Sequence, residues 1–499
     1  MLIEGDGKAV AKMTARVMYH RVDPEFKHKL IKDVAGETLK LCYQCGSCTA
    51  GCPVAHFMDV YRPNKILHLA KLGIRDVPYS NAVLLCSSCT TCTKGCPQGV
   101  RVHSIMRALK NLAVEEGYAR ETLAGEFEKI LETLREQIPL PVVYSWICLS
   151  PSEGASQSSK INDFILQLLR QSLSGPKKRS VHLPKPRKQA IAVVGSGPSG
   201  LMAAWDLTRM GFSVTIFESL SEPGGMLRVG IPEFRLPKDV LAVEIERLKG
   251  LGIKIRTNTP VDEALFSSLR KGTDFQAIFI AAGALKNQRL GIPGEDCERV
   301  ISGVDFLRKF NLGEDVKVGQ KVAVVGGGNV AMDAARTAIR LGAGEVSVLY
   351  RRSRQEMPAF DEEIEAAEKE EAKMQYLVAP VEVLSENGRV TGVKCIRMQL
   401  GEVDGTGRRR PVPIEGSEHA VDADMVIAAI GQSSDLSFLG REIEVLKGAI
   451  TVDSLTMETN LPGVFAGGDA VSGPASVIEA MVAGRTAAVS VGRYLSNLA

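Results

Sequence analysis

Eleven cysteines occur in this sequence of 499 residues, and eight of them lie between Cys42 and Cys96. They form two copies of one pattern, 44 residues apart. Cys42, Cys45, Cys48 and Cys52 follow C-x2-C-x2-C-x3-C-P, and Cys86, Cys89, Cys92 and Cys96 repeat it, with Pro53 and Pro97 closing the runs. Three thiolates spaced by two residues can converge on one cubane, while the fourth, before proline, ligates the other cluster of a two-cluster protein. The expected sets are therefore Cys42, Cys45, Cys48 and Cys96 for one 4Fe–4S cluster, and Cys52, Cys86, Cys89 and Cys92 for the second. Gly46, Gly51, Gly95 and Gly99 suit loops that wrap an inorganic core. A disulfide framework belongs to small secreted chains. Zinc knuckles leave a triplet plus C-P unexplained. Cys148, Cys297 and Cys395 read as packing residues.

Glycine carries a second chemistry. In QAIAVVGSGPSGLMAAWDLTRMGFSVTIFES, an apolar strand runs into Gly195, Ser196, Gly197, Pro198, Ser199 and Gly200, and a helical pattern follows. Gly195 permits the tight turn, Gly197 lets the backbone approach a pyrophosphate, and Gly200 lets helix and strand pack closely. The helix N-terminus suits phosphate, and Glu218, 23 residues after Gly195, suits a ribose. A second unit, KVAVVGGGNVAMDAARTAIRLGAGEVSVLYRRS, carries Gly326, Gly328, Asn329, Val330 and Ala331. Its second strand ends in Tyr350-Arg351-Arg352 with no acid. Guanidinium groups there favour a 2′-phosphate, hence NADPH over NADH. Near the C-terminus, VFAGGDA reads as a buried strand ending in Gly467, Gly468 and Asp469. Asp469 suits ribityl or phosphate-side groups of a flavin. Ser476 and Val477 open a helix whose positive end suits negative charge on a reduced flavin.

These groups need two α/β dinucleotide folds and a helical cysteine-bearing segment to position them. The expected division is a helical dicluster domain over 1–137, a linker over 138–189, a flavin domain over 190–303 and 431–499, and a nicotinamide domain over 304–430. Helix is expected from Ser104 to about Gln137. The run Gly175 to Gln189, basic and rich in proline, reads as extended linker. DEEIEAAEKEEAK, Asp361 to Lys373, reads as an amphipathic acidic helix with a solvated face. His56 and His103 read as surface or supporting residues beside the cysteines. No Ser-His-Asp or Cys-His arrangement is visible. The net charge of +3, from 61 basic and 58 acidic residues, gives no electrostatic case for nucleic acid. No apolar run approaches the roughly 20 residues of a spanning helix. The start lacks a signal peptide's apolar core, so a cytoplasmic protein is expected.

Residues Leu41 to Gly117 resemble the small dicluster subunit of heterodisulfide reductase, through LCYQCGSCTAGCPVA, LLCSSCTTCTKGCPQGV and IMRALKNLAVEEG. Residues Lys188 to Ala499 resemble the small subunit of glutamate synthase. SEPGGMLRVGIPEFRLPKDVL, the second glycine unit and the GGDA stretch carry that likeness. The same family includes the flavin part of dihydropyrimidine dehydrogenase and a bifurcating transhydrogenase subunit. The resemblance implies an α/β fold of two Rossmann-like domains, the NADPH domain inserted in the FAD domain. It implies FAD contacts from Gly225, Leu227 and Arg235, the last near the phosphates, and a crossing between domains at ADMVIAAIG, ending in Gly431. Thioredoxin reductase relatives place a redox C-x2-C in the second unit; GGGNVAMDAA has none.

NADPH gives up a hydride, a 4Fe–4S cluster takes single electrons, and a flavin converts between them. The reading is a subunit moving electrons between NADPH, FAD and two 4Fe–4S clusters, to or from a partner such as a heterodisulfide-reductase-like subunit or a ferredoxin. The alternatives are a glutamate synthase β-type subunit feeding an amidotransferase and a non-catalytic assembly subunit. No protein acid or nucleophile is required for the hydride step.

Overall fold

The computed structural model describes residues 22, 23, 25, 26, 28, 36–57, 61–74, 83, 85–115, 183–405 and 407–497. The chain divides into two compact units, Met1–Ile130 and Leu131–Ala499. Most of the expected linker, Cys148 and the helical stretch beyond Glu115 lie outside the described residues.

In the first unit the two cysteine runs fold alike. Each enters a short helix after a left-handed residue: α1 (Ser47–Ala50) follows Gly46 at φ 82, while α3 (Thr91–Lys94) follows Thr90 at φ 62. Between them α2 (Pro63–Lys71) starts on proline, which loses no helical bond at that position. It buries Ile66, Leu67 and Ala70 on one face. After the second run, α4 (Val102–Glu115) buries Ile105, Met106 and Leu109. Each such side chain withdrawn from water contributes roughly 1.5–3 kcal/mol.

The second unit holds two parallel sheets. The first has the order β16-β4-β1-β2-β3, from β1 (Ala190–Val194), β2 (Ser213–Phe217), β3 (Lys254–Arg256), β4 (Ala277–Ile280) and β16 (Val464–Ala466). The central strands are apolar along their whole length because helices cover both faces. Behind β1 lies α5 (Pro198–Arg209). The C-terminal α8 (Val477–Asn497) packs on α5, and Arg485 Nε donates to Asp206 at 2.9 Å between them.

Two short strands join the lobes. They are β5 (Lys286–Asn287) and β15 (Gln432–Ser433), which pair antiparallel. The second sheet runs β6-β14-β7-β8-β9, from β6 (Val300–Ser302), β7 (Lys321–Val325), β8 (Glu345–Tyr350), β9 (Lys373–Tyr376) and β14 (Met425–Ala428). Its helices include α6 (Asn329–Arg340) and α7 (Asp361–Lys369). The lobe change thus falls at β5, ahead of the expected boundary at 303, because β6 pairs with β14. After β14 the chain passes through β15 and rejoins the first sheet at β16. An antiparallel sheet is inserted after β9, from β10 (Val378–Glu386), β11 (Arg389–Val403), β12 (Arg409–Pro413) and β13 (His419–Asp422).

Candidate functional site

The strand ends of the first sheet open on a cavity of about 600 Å³. Gly195 to Ser199, Glu218, Gly225, Ala281 to Lys286, Gly467 to Asp469, Ser476 and Val477 are among its lining residues. The three loop glycines differ in what surrounds them. Gly195 has φ 101, and a Cβ there would lie 2.3 Å from the Ala281 carbonyl oxygen. At Gly200 a Cβ would lie 2.0 Å from the Gly195 carbonyl oxygen, whereas at Gly197 nothing lies within 4 Å. The first two glycines permit the turn and its packing. The third leaves open the space beside the N-terminus of α5.

Ser199 Oγ is buried on this wall without a hydrogen-bond partner. The amides of the first helical turn point the same way. Glu218, 4% exposed, accepts from Ser196 N at 2.9 Å and Leu220 N at 2.8 Å. Ser196 Oγ accepts in turn from Gly224 N at 2.9 Å. Against Ser199 lies Gly468, with φ 68, where a Cβ would come within 2.9 Å of the Ser199 Cβ, and Asp469 follows it. Burial pushes its carboxyl up to about 6, helped by the nearby Glu479, while a hydrogen bond from the Ala475 backbone opposes the shift. Ser476 and Glu479 form a reciprocal cap on α8: Ser476 N donates to Glu479 at 2.9 Å, and Glu479 N donates to Ser476 Oγ at 3.3 Å. The cavity, the open glycine, the orphaned serine and the helix ends fit a flavin dinucleotide.

Two residues expected at the flavin are elsewhere. Leu227 is fully buried, its N–H held by Gly224 O and its carbonyl by Lys238 Nζ at 2.9 Å. Arg235 reaches the second lobe, donating to both Asp333 oxygens at 2.7 and 2.8 Å and pairing with Glu363 at 2.8 Å. Phe234 beside it lies under the guanidinium groups of Arg336 and Arg340. Arg336 also pairs with Glu363 and Glu370, so the acidic face of α7 is an ion-pair partner rather than only a solvated surface. The sequence reading missed Ala281 to Lys286. The signal was present: IFIAAGA repeats the strand-then-small-residue pattern of VFAGGDA.

The second glycine loop is built like the first. Gly326 has φ 143, and a Cβ there would lie 2.2 Å from the Ala429 carbonyl oxygen. Gly328 has only Pro358 near it, at 3.9 Å, leaving the N-terminus of α6 open for phosphates. Asn329 Oδ1 accepts from Phe360 N at 2.9 Å, and Ala331 is fully buried. Val330 would contact a Cβ on Gly303 at 3.0 Å, so it packs against β6 and its following helix. At the end of β8 the two arginines part company. Arg351 is exposed. Arg352 is 6% exposed, donating to the Arg409 carbonyl at 2.8 Å and to Asp404 at 2.7 Å. The expected pair for a 2′-phosphate reduces to Arg351, since Arg352 anchors the inserted sheet.

In the first unit Cys42, Cys45, Cys48 and Cys96 surround one cavity, with Gly46, Pro97 and Val100 in its wall. Cys52 lies within electrostatic reach of Cys86 and Cys89, and Cys92 within reach of Cys86, Cys89, Cys52 and Cys48. Burial pushes the Cys52 thiol up to about 12 and the Cys92 thiol higher still. Thiolates at such positions need metal charge to form. Among the described residues no three His, Cys, Asp or Glu side chains close on a single metal ion. A thiol-ringed cavity fits a cluster better than one zinc. His103 is buried, and its backbone N–H donates to Thr93 Oγ1 at 3.0 Å.

Known proteins repeat this division. Residues 38–100 match the family model described as 4Fe-4S dicluster domain. Residues 191–484 match Pyridine nucleotide-disulphide oxidoreductase. The NADP(+)-dependent formate dehydrogenase subunit beta of Moorella thermoacetica is 42% identical over 403 residues, which cover 74% of this chain and 57% of that one. The glutamate synthase [NADPH] small chain of Escherichia coli (strain K12) is 35% identical over 331 residues, 62% of this chain and 70% of that one. Among solved structures, Mycobacterium tuberculosis FprA in complex with NADPH superposes with a TM-score of 0.53 at 21% identity, covering 62% of this chain and 85% of that one. With flavin and pyridine-nucleotide folds and a 4Fe–4S dicluster domain in one polypeptide, the chain belongs to the pyridine nucleotide-disulphide oxidoreductases and is related to the glutamate synthase small chain.

Proposed function

We propose that this chain is an electron-transferring subunit, linking NADPH and FAD through two 4Fe–4S clusters to a partner redox protein. One observation carries the reading: a dinucleotide cavity beside Gly197 and Ser199 and a thiol-ringed cavity of Cys42, Cys45, Cys48 and Cys96 belong to one polypeptide. Bound in the first cavity, a flavin supplies the exchange between hydride and single electrons that a nicotinamide and iron–sulfur clusters require. The chain's residues do the rest. Ser199 and the α5 amides hold pyrophosphate, and Glu218 and Asp469 orient the sugar-side hydroxyls. The capped start of α8 turns its positive end toward the cavity, favouring negative charge there. In the second lobe, the α6 amides take the nucleotide phosphates and Arg351 selects the 2′-phosphate. No side chain needs to act as acid, base or nucleophile.

The thiolate sets are those named above, Cys42, Cys45, Cys48 and Cys96 for one cluster and Cys52, Cys86, Cys89 and Cys92 for the other. The match to the formate dehydrogenase beta subunit extends over 403 residues, against 331 for the glutamate synthase small chain. That favours an acceptor or donor chain with its own redox centre, a heterodisulfide-reductase-like subunit or a ferredoxin, over an amidotransferase. The location proposed is cytoplasmic; among the described residues no helix is long and apolar enough to cross a membrane. The test is anaerobic titration of the reconstituted full chain with NADPH. Flavin bleaching followed by the EPR signals of reduced clusters is the expected result. Bleached flavin beside clusters that stay oxidised, although dithionite reduces them, overturns the relay.

A further inference from the structure

The two cysteine loops share more than spacing. At matching positions Gln44 and Ser88 have φ 64 and 52. Cys45 Sγ lies 3.3 Å from Ser47 Oγ, and Cys89 Sγ lies 3.4 Å from Thr91 Oγ1. One feature recurs although the sequence repeat does not supply it. Lys71 Nζ, at the end of α2, donates to the Cys42 carbonyl at 2.8 Å. Lys110 Nζ, within α4, donates to the Cys86 carbonyl at 2.6 Å. The lysines follow their cysteines by 29 and 24 residues, so the 44-residue repeat does not align them. Two different helices deliver an ammonium group to the same atom of each loop, the carbonyl of its first cysteine.

We infer that Lys71 and Lys110 each pin the entry to one cluster loop and set the reduction potential of the cluster in it. The inference rests on the thiolate sets proposed above. Reduction of a cluster adds one electron and no compensating proton, so its net negative charge grows. A fixed cation beside the loop stabilises the reduced form more than the oxidised form and raises the potential. Lys71 is exposed and Lys110 half-buried, so water and salt screen Lys71 more. The lysine on the second loop has the larger influence.

The experiment uses reconstituted full-length protein and a mediated EPR redox titration, with iron and sulfide counted in each variant. Lys71→Met is expected to move one of the two cluster potentials downward. Lys110→Met is expected to move the other, and further. The Gln variants, which still donate a hydrogen bond without charge, shift in the same direction, whereas the Arg variants stay near wild type. Should a Met variant fail to load its clusters, the Gln and Arg pair carries the comparison. Unchanged potentials in fully loaded Gln variants, Gln and Arg variants that shift alike, or equal shifts of both clusters from either lysine would overturn the inference. Wild-type protein that does not load two clusters would instead overturn the thiolate sets.

Discussion

At the scale of single residues, neighbours in sequence have unlike duties. Arg351 and Arg352 are adjacent, yet only Arg351 stands exposed at the end of β8. Arg351→Gln should raise the KM for NADPH roughly 10- to 100-fold, the worth of a charge-assisted bond of about 1.5–3 kcal/mol, and leave the KM for NADH nearly unchanged. Arg352→Gln should instead lower the urea midpoint, because it removes the guanidinium that donates to Asp404 and to the Arg409 carbonyl. Steady-state kinetics with both nucleotides and equilibrium unfolding separate the two. Asp469 offers a pH test. Its carboxyl is raised from 3.8 to about 6 in the folded chain, so its charge opposes folding. That cost is absent below 3.8, grows across the window to 6 and is complete above it. In flavin-free protein, Asp469→Asn should add up to roughly 3 kcal/mol of stability near pH 8 and nothing near pH 4, by paired urea titrations.

At the scale of elements, the contact between Arg235 and α6–α7 ties the lobes together. Arg235→Met would take from Asp333, 5% exposed at its side chain, the guanidinium that donates to both its oxygens, and from Glu363 one of its two arginines. The expected loss is about 3–5 kcal/mol, whereas Arg235→Met with Asp333→Leu should cost much less than the single change. Chemical denaturation of both single variants and the double variant measures the coupling. This contact also marks where the sequence stopped being readable. The cysteine runs and glycine loops were legible as motifs because residue types a few positions apart define each turn, whereas the crossover of Cys52 and Cys96 was read from a general spacing rule. The partners of Arg235 and Arg352 lie 98 and 52 residues away. Nothing in the spacing of either arginine distinguishes a phosphate ligand from an ion-paired anchor. The inserted sheet did leave a trace: Asn387-Gly388, both with positive φ, is a favoured two-residue hairpin turn between β10 and β11. Arg235 itself was placed by family likeness, and the fold put it in a different contact.

At the scale of the whole molecule, the crossover thiols decide how the dicluster unit fails. Cys96 lies in the second run but lines the cavity of the first set. Cys96→Ala should therefore abolish the cluster of Cys42, Cys45 and Cys48, and Cys52→Ala the other one. In double variants, Cys96→Ala with Cys42→Ala should lose no more iron than either change alone. Cys96→Ala with Cys86→Ala should lose the iron of both clusters. Iron analysis with EPR reads the outcome. In the second unit, the paired strands Lys286–Asn287 and Gln432–Ser433 have a further consequence. The nucleotide lobe enters and leaves through one doorway, and every strand of the first sheet lies outside residues 288–431. The lobe is in effect a cassette. Cut out and replaced by a short glycine-serine bridge, it should leave behind a protein that still retains FAD but no longer responds to NADPH.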